Sequence, residues 1–136
     1  MTSAERDRGG RIPLHYAALE DDVDLMAAEL AAGADVDDAD RAGMTPLHFA
    51  AQQYEVAAAR LLLEHGAAID PRDKKGSTPL VTAVFNSRGR GDMIRLLRDA
   101  GADPYAVNEF GVIPVELARR VANFDIAQYF ADLPAE

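Results

Sequence analysis

The chain has 136 residues, the length of one domain, and a formal net charge of −9 from 23 acidic and 14 basic side chains. It contains no cysteine, which excludes disulfides and thiolate metal sites. A strongly negative chain disfavours nucleic acid as a partner, because affinity for nucleic acid comes largely from neutralised phosphates. Residues 1–11 lack the apolar run of a secretory signal, and no stretch approaches the roughly 18 apolar residues of a membrane span. We therefore expect a cytoplasmic protein that has no membrane partner.

One heptapeptide pattern recurs along the chain. It reads Ile-Pro-Leu-His-Tyr-Ala-Ala over residues 12–18 and Thr-Pro-Leu-His-Phe-Ala-Ala over residues 45–51, and looser copies begin at Thr78 and Ile113. These starts are 33, 33 and 35 residues apart. A Gly-Ala pair after each of the first three copies keeps the same step. So does a polar residue three positions before a glycine: Asp7/Gly10, Asp40/Gly43, Asp73/Gly76 and Asn108/Gly111.

A period near 33 residues with a Thr-Pro-Leu-His-x-Ala core resembles the ankyrin repeat. The resemblance covers nearly the whole chain. It implies an all-α fold, an ankyrin-repeat solenoid of four helix-turn-helix repeats joined by β-turn fingers. One domain would span residues 1–136, with repeats at about 7–39, 40–72, 73–107 and 108–136.

Each repeat is predicted to contain a turn followed by two helices. In the second repeat, Gly43 can adopt the positive φ of the turn, Thr45 suits the N-cap, and Pro46 suits the first helical position. Gly66 then ends the second helix. The same pattern predicts first helices at about 13–20, 46–53, 79–87 and 114–121, and second helices at about 23–32, 56–65, 92–100 and 124–132.

Three features depart from the family pattern. Ile12 and Ile113 replace the N-cap threonine in the outer repeats, which forgoes a cap worth about 1 kcal/mol. The loop over residues 86–91 carries the extra residues that lengthen the third spacing. Between the two helices of a repeat, where the family usually has glycine, this chain has Asp21, Tyr54 and Ala122.

The residue types that carry chemistry form no catalytic or metal-binding set. His15 and His48 occupy the motif position at which the family's histidine braces the turn through backbone hydrogen bonds. Equivalent positions in adjacent repeats lie about 10 Å apart, too far to share a metal ion. No serine has a histidine in register, and the aspartates of residues 35–40 do not fit the calcium-loop template. We therefore expect a protein that is not an enzyme and holds no cofactor.

Charge is unevenly distributed along the chain and bears on the partner. Residues 12–40 hold nine acidic side chains and no Lys or Arg, whereas residues 71–105 are rich in Arg and Lys. An acidic surface attracts a basic partner protein and accelerates its association. The resemblance implies protein binding, so a monomeric inhibitor or immunity-type protein for a basic partner is one hypothesis. The alternatives are a scaffold that bridges two proteins, one through each charged region, and a chain that self-associates.

The resemblance implies that partners contact a concave groove, formed by the turn tips and the exposed side of the first helices. By repeat register, the helix candidates are Tyr16, Leu19, Phe49, Gln52 and Phe85. The turn-tip candidates are Asp38, Arg41, Arg72, Lys74 and Phe110. Among them Tyr16, Phe49, Phe85 and Phe110 form an aromatic row of the kind that binding hot spots favour. In the alternative, Tyr16 and Phe49 cover the core between repeats, because burial is the commoner fate of aromatic rings.

Overall fold

The computed structural model of the chain describes residues 6–121 and 125–134. The helices in this part of the chain are α1 (Pro13–Leu19), α2 (Val23–Ala31), α3 (Pro46–Gln53), α4 (Val56–Glu64), α5 (Pro79–Phe85), α6 (Asp92–Asp99) and α7 (Pro114–Arg120). A 3₁₀ helix follows at Ile126–Phe130. The described residues contain no strand, and the predicted all-α solenoid is confirmed.

The helices stack in two rows. The first helices α1, α3, α5 and α7 pack one on the next, and the second helices α2, α4 and α6 do the same beside them. Two positions of every first helix are buried to 1% exposure or less, one large and one small: Leu14 and Ala17, Leu47 and Ala50, Leu80 and Ala83, Val115 and Ala118. Because alanine is small, neighbouring helices approach closely, and one continuous core runs through all four repeats.

Several helices end earlier than predicted, and the last one differs in kind. Helix α5 ends at Phe85 rather than at residue 87, because the side-chain amide of Asn86 donates to the Thr82 carbonyl at 2.9 Å and closes the last turn. The helix expected over residues 124–132 is instead the short 3₁₀ helix, whose N-cap residue supplies no side-chain hydrogen bond. Residues 122–124, with the departure at Ala122, lie outside the described part of the chain.

Four tight turns, called fingers here, cover residues 7–11, 40–44, 73–77 and 108–112 and project the chain from one repeat to the next. Each finger begins with the Asp or Asn of the sequence anchor. In every finger one side-chain oxygen of that residue accepts the backbone N–H groups two and four positions later, at 2.9–3.0 Å. The side chain thereby satisfies two N–H groups that the turn leaves without backbone partners.

Adjacent fingers are joined through their backbones. Gly43 has a φ of +78°, and a Cβ there would lie 2.9 Å from the backbone nitrogen of Lys74. Glycine is therefore required twice, by the left-handed backbone and by the close approach of the next finger. The N–H···O=C bonds between fingers measure 2.8–2.9 Å and run from Arg41 to Gly9, from Lys74 to Ala42 and from Glu109 to Lys75.

The two described residues that replace the family's inter-helix glycine cap a helix of the following repeat. Asp21 (φ 56°) accepts the backbone N–H of Ala58 in the first turn of α4 at 3.0 Å. Tyr54 (φ 58°) accepts the N–H of Met93 in the first turn of α6 on its hydroxyl at 3.2 Å. Neither α4 nor α6 has a side-chain cap of its own. A left-handed non-glycine residue costs roughly 1–2 kcal/mol, and these hydrogen bonds between repeats offset part of that cost.

The finger geometry predicts how an anchor residue can be changed. Asp73→Ala removes the acceptor of two N–H groups and should lower the free energy of unfolding by about 2 kcal/mol or more. Asp73→Asn should cost much less, because Asn108 performs the same task with an amide oxygen in the fourth finger. Urea denaturation of the three proteins compares these values, and equal losses for Ala and Asn would contradict the finding.

The cap supplied by Tyr54 can be tested by removing one oxygen. Tyr54→Phe keeps the buried ring but leaves the Met93 N–H without its partner, and should cost about 1 kcal/mol of stability. Tyr105→Phe is the matched control, because that tyrosine is 50% exposed and its hydroxyl makes no hydrogen bond within the described residues. Equal stability of the Tyr54 variant and the control would show that this cap contributes nothing.

Candidate functional site

Two aromatic side chains of the third and fourth repeats stand in solvent beside a cleft. Phe85, the last residue of α5, is 77% exposed, and Phe110 of the fourth finger is 70% exposed. Both line a cleft of about 550 Å³ together with the apolar residues Met44, Val81, Val112 and Leu117. Its polar lining includes Gln52, Lys75, Asn86 and Asn108. An exposed apolar cleft with a few polar groups is typical of a binding surface.

Hydrogen bonds fix the backbone on both sides of this cleft. Next to Phe85, the amide of Asn86 is bonded to the end of α5. Phe110 donates its own N–H to the side-chain oxygen of Asn108 at 2.9 Å, and Glu109 donates to the third finger. The two aromatic residues therefore sit on ordered backbone, which reduces the entropy lost when a partner binds.

The two alternatives for Tyr16 and Phe49 are separated by their surroundings. Phe49 is 6% exposed, with the His15 ring edge-on at 5.4 Å between centroids and the Arg11 guanidinium 5.4 Å from the ring centroid. Tyr16 is 38% exposed, and its hydroxyl donates to the Asp7 carboxylate. Phe49 thus covers the core between repeats, as the alternative expected, and the aromatic row is interrupted at that residue.

Four other candidates lie at the surface in different states. Leu19 is half-buried and packs against the core. Gln52 is exposed and lines the cleft. Arg41 and Lys74 are exposed at the second and third finger tips. The cleft therefore gathers Gln52, Phe85 and Phe110 from the candidate list, whereas Arg41 and Lys74 do not line it.

The last two candidates are engaged in contacts within the chain. The carboxylate of Asp38 accepts a hydrogen bond from each terminal nitrogen of Arg6, both at 2.6 Å. The Asp38 side chain is 13% exposed. Arg72 donates to the carbonyl of Val107 at 2.6 Å and so ties the third finger to the segment before the fourth. A partner that used either side chain would compete with a contact that joins the segments before two successive fingers.

The two motif histidines connect successive repeats. Nδ1 of His48 accepts the N–H of Thr45 at 3.1 Å, and Nε2 donates to the carbonyl of Ser77 in the next finger at 2.8 Å. His15 makes the equivalent contacts one repeat earlier, with the N–H of Ile12 and the carbonyl of Met44, each at 3.1 Å. Its Nε2 also lies 2.8 Å from the carbonyl of Asp38. The predicted bracing role is confirmed. Across the described residues, no three His, Asp or Glu side chains converge to hold a metal ion.

Comparison with protein families agrees with this geometry. A family model described as ankyrin repeats (3 copies) matches residues 14–108, which is 95 of the 136 residues. The chain belongs to the ankyrin repeat family. No curated protein matches it. The fourth ankyrin repeat lies beyond the matched range, and its finger and α7 repeat the geometry of the first three.

Ankyrin repeats are generally protein–protein interaction modules. This general role fits the exposed cleft and the regular row of fingers. Among the helices of the described residues, none is long and apolar enough to cross a membrane.

Most carboxylates of the acidic stretch, residues 12–40, accept hydrogen bonds within the ankyrin fold. Asp40 is 6% exposed, and its second oxygen pairs with Arg11 at 3.2 Å. Glu20, Asp22, Asp24 and Asp35 remain exposed. Six of the nine carboxylates accept hydrogen bonds: Asp21, Asp22, Asp35, Asp37, Asp38 and Asp40. The acidic surface open to a partner is therefore smaller than the sequence indicates.

Sequence reasoning missed part of the cleft. Lys75 occupies the same finger position as Phe110, two residues after the anchor, so comparing all four fingers in register would have found it. Val81 lies in the motif itself, at the place held by histidine in the first two repeats. Its contribution to the cleft depends on how the third and fourth repeats pack, and the pattern of one repeat does not carry that information.

The buried His48 predicts a pH dependence of stability. Burial lowers the pKa of His48, so the unfolded chain takes up a proton more readily than the folded chain. Its contribution to stability is therefore fully present above the unfolded pKa of about 6.5 and is lost as the pH falls below that value. Denaturation between roughly pH 7.5 and 5 should show a steeper decline for the natural chain than for His48→Gln.

The exposed His65 provides the control for this measurement. His65→Gln should keep the steep decline, because that side chain lies at the surface after α4. Parallel pH profiles for the natural chain and His48→Gln would contradict the assigned role of the buried imidazole.

Proposed function

We propose that this ankyrin repeat protein is a non-catalytic module that binds a partner protein through its concave groove and finger tips. The observation that carries the proposal is the exposure of Phe85 and Phe110 around one apolar cleft. A partner that buried both rings would gain roughly 1.5–3 kcal/mol per ring. The proposal includes a monomer in the cytoplasm, which sedimentation and cell fractionation would test.

The surroundings of the two rings support this proposal. Gln52, Asn86 and Asn108 place amide groups around the cleft, and Lys75 adds a cation at its edge. Aromatic anchors within a polar rim are the arrangement from which binding hot spots draw most of their energy. The ordered backbone beneath both rings adds to the same effect.

A narrower form of the proposal makes the protein an inhibitor or immunity-type protein with a basic partner. The acidic stretch supports it, because exposed carboxylates attract a basic partner over a Debye length of about 8 Å. Its contacts would lie at Glu20 and Asp24, which are exposed where α1 passes into α2. A scaffold that binds one protein at this corner and another at the fingers is the alternative form.

The two aromatic anchors are the residues to change first. Phe85→Ala/Phe110→Ala should weaken binding of the natural partner about 1000-fold, because each truncated anchor of this kind costs on the order of 2 kcal/mol. The partner is first captured from the native lysate by the natural chain and identified by mass spectrometry. The purified partner is then titrated calorimetrically against both proteins.

The control is a second pair of exposed apolar residues outside the groove. Val23 and Leu25 of α2 are 36% and 41% exposed. For a partner that binds through the groove alone, Val23→Ala/Leu25→Ala should leave the affinity unchanged. Thermal unfolding of both double variants verifies the fold. Undiminished binding by the phenylalanine variant would refute the proposed site, and a loss confined to the control would move it to α2.

A further inference from the structure

The finger tips carry a row of positive charge on a chain whose net charge is −9. Arg8, Arg41 and Lys74 each follow the anchor aspartate of their finger, and Lys75 comes next in the third finger. All four residues are exposed. Ion pairs between described residues engage other cations: Arg6, Arg11, Arg95, Arg98 and Arg120. The cations of the row are thus left facing solvent, although acidic residues outnumber basic ones.

The row is regular because the fingers are joined to one another. Arg41 donates its N–H to Gly9 at 2.8 Å, and Lys74 donates to Ala42 at 2.9 Å. A Cβ on Gly10 would lie 3.0 Å from the backbone nitrogen of Arg41. Successive tips are therefore fixed at the repeat spacing, which is about 10 Å for packed helices.

The row runs into the cleft between the third and fourth repeats. Lys75 belongs to the row and also lines the cleft. In the fourth finger the pattern changes, because Glu109 stands in the position of the cations and Phe110 follows it. A ligand that followed the fingers would meet positive charge over three repeats and an apolar surface at the fourth.

We infer that the groove binds an extended acidic segment of a partner protein, with an acidic residue at about every third position and an apolar residue at the end that enters the cleft. The inference rests on the proposed function, since it names the chemistry of the partner for the same groove. Each carboxylate would lie opposite one finger tip, and the apolar residue would pack between Phe85 and Phe110.

The spacing of the fingers selects the conformation of such a segment. A polyproline II helix rises about 3.1 Å per residue with three residues per turn, so every third side chain returns to the same side after about 9 Å. That distance is close to the finger spacing. A β-strand of similar length would direct residues three apart to opposite faces. The fingers therefore fit an acidic segment in the polyproline II conformation better than a strand.

Charge favours a protein segment over nucleic acid as the occupant. The row offers four cations, whereas the chain as a whole repels a polyanion with its net charge of −9. A segment with few, widely spaced carboxylates meets the row without bringing a dense line of phosphates near Glu109. The apolar cleft at the end of the row also matches a side chain rather than a phosphate.

The first experiment compares peptides against the full chain by fluorescence anisotropy. The probe is a labelled peptide of Glu-Pro-Pro triplets that ends in phenylalanine. The same peptide with lysine replacing glutamate, and one of identical composition with its glutamates adjacent, are the controls. The probe should bind most tightly, and its affinity should fall as salt is raised. Equal binding of the peptide with adjacent glutamates, or no binding at about 1 mM probe, would overturn the inference.

The second experiment removes charge from the fingers while it keeps the stems of the side chains. Arg41→Gln/Lys74→Gln/Lys75→Gln should weaken probe binding about tenfold and flatten its salt dependence. A control variant changes three exposed cations elsewhere to glutamine, at Arg60, Arg88 and Arg95. Both variants make the net charge more negative by three, so a change confined to the finger variant reports the row itself. Unchanged binding by the finger variant rejects the inference.

A third comparison separates this inference from the function on which it rests. If Phe85→Ala/Phe110→Ala has a lower affinity for the probe but still binds the glutamate peptide more tightly than the lysine peptide, that result supports both the apolar contact in the cleft and the charge contact at the fingers. If the phenylalanine variant binds the probe normally and the finger variant does not, the cleft is rejected as a binding site and the finger cations are supported as one. Tighter binding of single-stranded DNA than of the probe would replace the acidic segment with nucleic acid and reject the inference.

Discussion

Every finger must supply an acceptor for two backbone N–H groups, and the whole solenoid depends on one side chain doing so. Once Asp or Asn has fixed the turn, the finger presents a carbonyl to the next finger and another to the histidine of the repeat before it. The first helix can then begin at its proline, with the alanine face against its neighbour. The local turn and the stacking of repeats are therefore parts of one hydrogen-bond network.

This network divides the charged residues of the chain between two tasks. Carboxylates suit the fold because an acceptor with two oxygens can satisfy turns, caps and guanidinium groups. Most acidic residues of the first repeat are used in this way. The negative net charge of the chain therefore arises more from hydrogen-bond acceptors that the fold needs than from a surface for a basic partner. Arginine and lysine have no acceptor to offer, and those on the finger tips remain available to bind from outside.

The sequence predicted the features that repeat, because a repeated residue reports a repeated environment. The anchors, helix starts and bracing histidines follow from register alone, and they predicted the family and the fold. Features that depend on two different repeats were harder to predict. Phe49 is buried because Arg11 and His15 of the preceding repeat cover it, and the cleft forms because Phe85 and Phe110 meet from different repeats. The prediction of an α-helix near the end of the chain was wrong, because the described residues form a 3₁₀ helix there whose N-cap residue supplies no side-chain hydrogen bond.

The capping bonds between repeats have a consequence for how the molecule comes apart. Asp21 and Tyr54 join the first repeat to the second and the second to the third. Between the third and fourth repeats the described residues show the packing of α5 on α7, the finger bond from Glu109 to Lys75 and arginine contacts such as Arg98 with Asp132, whose carboxylate side chain is 64% exposed. No inter-helix residue caps the last helix in this part of the chain. In a linear array, the weakest junction decides where opening starts. The first three repeats would thus unfold as one cooperative unit, and the fourth would open first. The cleft lies at the junction where that opening would begin. A partner bound in the cleft would contact both the third and the fourth repeat. Its binding would therefore also stabilise the junction between them.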